Sequence, residues 1–171
     1  MKRIKTYHVA VAAEAIAAAQ FARLGFDVGI QYGANQPEYD LTITKDEKLL
    51  KVSVKGSQDG GWGLTQSYMK NKDYHGAIGI WLSKHKEKII ICFVQFQDVE
   101  INSLPKVYLA TPEEVAKRLK ESVKGRGETI LYMDHTWTKQ GAGYGTTEKI
   151  PEGWEFTEKR VNELIDYFYK K

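Results

Sequence analysis

Glu14, Asp40, Ser53 and Lys55 are the residues of this chain whose types and spacing suit chemistry. Glu14 is the one formal charge between Lys5 and Arg23, in a stretch rich in alanine. A carboxylate on a surface built to pack closely is costly unless something pairs with it. Asp40 and Lys55 fall in two neighbouring segments, residues 39–44 and 49–55, whose side chains alternate in character. Residues i and i+2 of a strand share a face, so Leu41 groups with Ile43, and Leu50 with Val52 and Val54. If those apolar faces coincide, Asp40, Ser53 and Lys55 emerge together on the polar side. Two carboxylates converging with a lysine suit a hard divalent cation, Mg2+ or Mn2+, which lowers the pKa of a bound water. A nearby ammonium orients that water or neutralises charge developing on a phosphate. Such a site cleaves phosphodiesters without a Cys, Ser or His nucleophile.

The elements that must position these residues are legible in outline. Residues 7–24 read as one helix, with eight alanines, no proline, and Gly25 as its stop. A short strand over residues 26–32 and a loop over 33–37 follow. The polar turn 45–48 joins the next two strands as a hairpin. A glycine-rich loop, residues 56–63, encloses Trp62, and residues 64–73 are a short helix or irregular. Residues 77–82 and 89–96 read as apolar strands, and 107–110 as a short one. Thr111-Pro112-Glu113-Glu114 has the composition of a helix start, with the helix running to about Ser122. A strand over 129–133, a long loop over 135–154 and a last helix opened by Thr157 complete the chain. The order is that of an α/β protein in one piece.

Glu14 in the first helix, Pro37-Glu38-Tyr39-Asp40, then Val52-Ser53-Val54-Lys55 on the following strand resembles the PD-(D/E)XK nuclease superfamily. This restriction-endonuclease-like fold includes the Holliday-junction resolvases. The resemblance covers residues 7–82, and Gly56-Ser57 also looks like the sequence after the lysine in resolvase-like members. It implies a central mixed β-sheet flanked by helices, with a helix, three strands, a helix and a strand in chain order. A length of 171 residues suits one domain, with a core over about residues 7–134 and a loop-plus-helix extension over 135–171. By that resemblance Asp40 matches the metal-binding aspartate, Lys55 the catalytic lysine and Glu14 the acidic residue of the first helix. Mg2+ or Mn2+ would be held by Asp40 and Glu14, with the Val54 carbonyl as a further ligand. The departure is Ser53, a neutral hydroxyl where the family places Asp, Glu or sometimes Gln; Glu14 or Glu38 is then left to supply the missing charge. The resemblance implies a metal-dependent endonuclease; the same fold without cleavage, binding nucleic acid or a protein partner, is the alternative.

Each of these residues also has a plainer reading: Glu14 solvated on the helix, Asp40 in a turn, Lys55 on an exposed strand. Composition decides less. The 171 residues carry 25 Lys and Arg against 22 Asp and Glu, a charge of +3 that is too mild to identify a nucleic-acid binder. A hydrophobic fraction of 42% rules out wholesale disorder. The single cysteine, Cys92, rules out an intrachain disulfide and a cysteine-based zinc site. The four histidines, His8, His75, His85 and His135, lack zinc-site spacing. Gly141-Ala142-Gly143-Tyr144-Gly145 lacks the strand-to-helix setting of a phosphate cradle and reads as a flexible loop.

The partner implied is nucleic acid, DNA in preference to RNA. Candidate contacts are Lys117, Arg118 and Lys120 around one helix end, and Lys70, Lys72 and Trp62 nearer the centre of the chain. Loop aromatics such as Trp62, Trp137 and Tyr144 could stack on unpaired bases or cap the edge of the core. His8 and Glu14 interrupt the alanine-rich stretch, which argues against a secretory leader and for a cytoplasmic protein with no membrane span. Resolvase-like nucleases commonly act as dimers, so a homodimer is the assembly to test.

Overall fold

The computed structural model describes residues 3–31, 38–85 and 88–170. The chain divides into two compact units, one of residues 1–59, 87–111 and 152–171 and the other of residues 60–86 and 112–151.

The first unit is built on a long helix and a mixed sheet. Helix α1 (Thr6–Arg23) carries the eight alanines and buries Val9, Ala13, Ala17 and Phe21, one residue per turn. It stops at Gly25, whose φ of +79° is left-handed. Five strands follow in chain order: β1 (Asp27–Ile30), β2 (Leu41–Lys45), β3 (Lys48–Ser57), then β5 (Ile89–Gln95) and β6 (Lys106–Ala110) after the second unit's β4 (Gly61–Gly63). Their spatial order is β1-β2-β3-β5-β6. The β3–β5 pair is parallel and the other pairs antiparallel. The expected hairpin is present: Leu41 faces Val52, and Asp46 and Glu47 turn the chain with φ of +49° and +61°.

One face of this sheet is the core. Leu41, Ile43, Leu50, Val52, Val54, Ile90, Cys92 and Val94 cluster there with Ala13, Ala17 and Phe21 of α1. Val161 and Leu164 of α4 (Glu158–Tyr169) join the same cluster. Thr157 caps α4 by accepting from the Arg160 amide at 3.1 Å. Every residue of β5 is buried, as suits a central strand covered on both faces.

The second unit contains α2 (Tyr74–Ser83), α3 (Pro112–Glu121), the β4–β7 pair with β7 (Ile130–Tyr132), and a ribbon of β8 (Asp134–Thr136) and β9 (Thr147–Lys149). The two helices pack on each other. Two expectations are corrected here. Residues 77–82 are helical, because Ala77, Ile78 and Trp81 recur at helical spacing and Asp73 caps the start by accepting from Gly76 N at 2.8 Å. A short apolar run does not by itself separate helix from strand. The long loop expected after residue 135 contains a paired ribbon. Tyr32 and the loop expected over residues 33–37 lie outside the described residues. Among those described, no helix is long and apolar enough to cross a membrane.

Candidate active site

Asp40 sits at the mouth of the β2–β3 hairpin. Its amide donates to Val52 O at 2.8 Å, and its carbonyl accepts from Gln31 N at 2.9 Å. Strand β2 begins one residue later, so the Val54 amide meets no strand partner there. It donates instead to the Asp40 carboxylate, Oδ2, at 2.5 Å. A bond from an amide to a charged acceptor is stronger than one to a neutral oxygen and fixes the carboxylate. The amide and carbonyl of one strand residue point to the same edge. The Val54 carbonyl therefore projects from the edge that Asp40 lines.

Glu14 approaches from α1. Its neighbour Ala13 and the carbonyl of Val9 lie so close to β3 that only glycine fits at position 56. A Cβ built there would be 2.8 Å from the Ala13 methyl and 2.9 Å from Val9 O. This close approach brings the half-buried Glu14 within electrostatic reach of both Asp40 and Lys55. Burial pushes the Glu14 carboxyl above its ordinary value, and the negative charge of Asp40 pushes it further. The Lys55 ammonium pulls it back down. Glu14 thus feels the charge of both Asp40 and Lys55.

Ser53 and Lys55 alternate with the core residues Val52 and Val54 and lie on the opposite face of the sheet. Lys55 is half-buried, but Ser53 is only 1% exposed. The polar side expected for Asp40, Ser53 and Lys55 is therefore not a wet surface at Ser53. Glu38 is exposed, and Pro37 lies outside the described residues. Cys92 is no alternative nucleophile. Complete burial, reinforced by the charge of Asp40, pushes its thiol far above the range in which a thiolate forms.

The donor set is short. Among the described residues no three His, Cys, Asp or Glu side chains gather as a metal cluster. Asp40, Glu14 and the Val54 carbonyl are nevertheless all hard oxygen donors. Mg2+ is commonly held by one or two carboxylates while it keeps several waters. The residues present fit such an ion, and Ser53 adds no charge to it.

The other candidates lie in the second unit. Lys70 and Lys72 are exposed between the turn Gln66–Tyr68 and α2. Lys117 is exposed and pairs with Glu121 at 3.9 Å, and Lys120 is half-buried. Arg118 is held inside its unit, 3.8 Å from Glu148 and 3.3 Å from both Ser122 Oγ and Lys149 O. It braces the fold rather than offering a free cation. Trp62 is 2% exposed, so its ring fills the interior and presents no face for a base. Trp137 also turns inward, with its Nε1 buried and its ring against Tyr132 and His135. Tyr144, at 54% exposure, is the loop aromatic that faces out. The ribbon over residues 134–149 carries surface groups that sequence reasoning left without a role. The alternation of Asp134, Thr136, Thr147 and Lys149 was the available signal.

The fold is similar to that of the bacterial homing endonuclease I-Ssp6803I. The likeness has a TM-score of 0.53 at 14% identity and covers 98% of this chain and 96% of that one. The expected α/β architecture, a central mixed sheet flanked by helices, is thus present and matches that of a known nuclease. No family model and no curated protein matches the chain.

Proposed function

We propose that this protein is a metal-dependent endonuclease of the PD-(D/E)XK type, hydrolysing phosphodiester bonds in DNA. The observation that carries the reading is the hydrogen bond that fixes Asp40 on the Val54 amide, and the charges of Asp40 and Lys55 acting on the Glu14 carboxyl support it. Asp40 and Glu14 would hold Mg2+ or Mn2+, with the Val54 carbonyl on the same edge. The ion, when bound, supplies a Lewis acid and a water of lowered pKa. Asp40 needs no reorganisation to serve, because its second oxygen is already engaged by backbone. Lys55 positions its ammonium where charge develops on the phosphate, and its half-buried setting strengthens that attraction. Glu14 binds best once ionised, so activity should rise with pH through its elevated titration.

A second reading rests on Ser53: a buried hydroxyl in place of an acidic residue favours a nuclease fold that binds nucleic acid without cutting it. One experiment separates the two. Supercoiled, branched and single-stranded DNA are incubated with the protein and Mg2+ or Mn2+. The endonuclease reading requires cutting that chelation, Asp40→Asn and Lys55→Met each abolish. Salt-sensitive binding with no cutting on any substrate would establish the non-cleaving module. The absence of binding to any nucleic acid would sink both.

A further inference from the structure

The small charge surplus is unevenly divided. The second unit holds 11 Lys and Arg against 7 Asp and Glu, whereas the first has one more acid than base. Within that basic unit the β8–β9 ribbon has two very different faces. His135 and Glu148 lie opposite each other on the inward face. His135 stacks on Tyr132 with ring centroids 4.2 Å apart. Glu148 accepts from Val123 N at 2.6 Å and pairs with Arg118. The outward face carries the exposed pairs Thr136–Thr147 and Asp134–Lys149. The threonine hydroxyls are 2.9 Å apart, and Lys149 lies 3.5 Å from Asp134. Hydroxyls, an ammonium and a carboxylate thus stand in register on a strand pair whose inward face is held by its own unit.

The tip is held by its own bonds. Trp137 N donates to Thr146 O at 2.9 Å, and Gly145 N to Trp137 O at 3.0 Å. Thr146 Oγ1 donates to Gly143 O at 2.6 Å. A side chain at Gly143 would strike the Trp137 ring at 2.9 Å. Lys124 grips the tip from outside through Tyr144 O at 3.2 Å. Lys139, Gln140 and Tyr144 are exposed around it.

We propose that the outward face and tip of the β8–β9 ribbon enter the major groove of duplex DNA. Thr136, Thr147 and Lys149 would read base edges there, while Lys124 and Lys139 meet phosphates. The inference rests on the nuclease reading above and adds to it the element that selects the target. The physical fit is direct. Two paired strands lie about 4.8 Å apart, and with their side chains they match a B-DNA major groove about 12 Å wide. The major groove of an RNA duplex is deep and narrow and excludes such a ribbon. Hydroxyls donate to or accept from base edges, and lysine recognises guanine. The excess of base over acid in this unit supplies attraction to the backbone.

The test uses the full chain. Duplexes enriched from a random-sequence pool by binding in Ca2+ are compared with an unrelated duplex by fluorescence anisotropy over a range of salt. The Thr136→Val/Thr147→Val double variant should reduce the preference for the enriched duplex by about tenfold or more. Lys139→Gln, at the exposed tip, should weaken binding to both duplexes and reduce the salt slope by about one. Methylation of guanine N7 should interfere with wild-type binding. If both variants retain wild-type preference and salt slope, or N7 methylation has no effect, the ribbon reading fails. The nuclease reading then still stands or falls on Asp40→Asn and chelation. If the wild type binds only single strands or RNA, the ribbon proposal fails outright.

Discussion

Gly56→Ala tests the physical basis of the candidate site more sharply than removal of its charges. The added methyl would lie 2.8 Å from the Ala13 methyl, 2.9 Å from Val9 O and 3.1 Å from a Val9 methyl. Carbon atoms pack at about 3.5–4.0 Å, so α1 must retreat from β3 by roughly 0.7 Å or more. The Val9 carbonyl belongs to the helix backbone and cannot rotate aside. Overpacking of this kind costs ~1–3 kcal/mol. For a chain of this length, at about 2–4 °C per kcal/mol, Tm should fall by ~2–12 °C. The same retreat carries Glu14 away from Asp40, and a misplacement near 1 Å can cost on the order of 100-fold in rate. Thermal unfolding followed by far-ultraviolet circular dichroism reads the first effect, and plasmid cleavage well below Tm reads the second. Gly79→Ala is the counterpart: a Cβ there meets nothing within 4 Å, and an alanine inside α2 should stabilise by up to about 1 kcal/mol. A Gly56→Ala protein with unchanged Tm and unchanged cleavage would refute the claim that this close approach sets the site.

Glu14→Gln should raise stability at pH 7 while abolishing cleavage. The folded protein holds this carboxyl above the 4.5 of the free group, so the folded state binds the extra proton. Stability is therefore lost as pH rises from 4.5 through the folded value, and the deficit persists at neutrality. Paired urea titrations of wild type and variant should converge below pH 4.5 and separate above the folded value; separation in the opposite sense would contradict the burial argument. Mg2+ or Mn2+ should raise the Tm of the wild type in a concentration-dependent way and leave Glu14→Gln almost unmoved. Cys92 should resist alkylation in the folded protein at pH 8 and react fully in urea, as mass spectrometry would show.

Much of the first unit was legible because its signals are local. Eight alanines ended by Gly25 define α1, and strict alternation in β2 and β3 fixes which side chains share a face. That Asp40 and Lys55 fall at this one hairpin was legible for the same reason. The helix over residues 77–82 escaped because a short apolar run suits either element by length, although the spacing of Ala77, Ile78 and Trp81 and the Asp73 cap are local signals. What else escaped was nonlocal. Trp62 looked like an exposed loop aromatic because its burial depends on β4 pairing with β7, whose residues lie nearly 70 positions away. Arg118 looked free because Glu148, thirty residues on, is joined to it only by the fold. The role of Gly56 was equally hidden: the sequence shows a glycine, and only the helix crossing shows why it must be one.

The order of the two units along the chain has a consequence for assembly. All residues of the second unit lie between positions 60 and 151, whereas the first draws on three separate stretches. Val161 and Leu164 close the core over strands made more than 50 residues earlier. During synthesis the second unit is complete while the five-stranded sheet still lacks its last helix, so the parts of β3 and β6 that α4 packs against are still uncovered. Long loop closures slow folding, and exposed apolar strands invite misassociation in the interval. The emerging chain thus keeps part of its core exposed until α4 arrives, and the helix that finishes the core also ends that exposure.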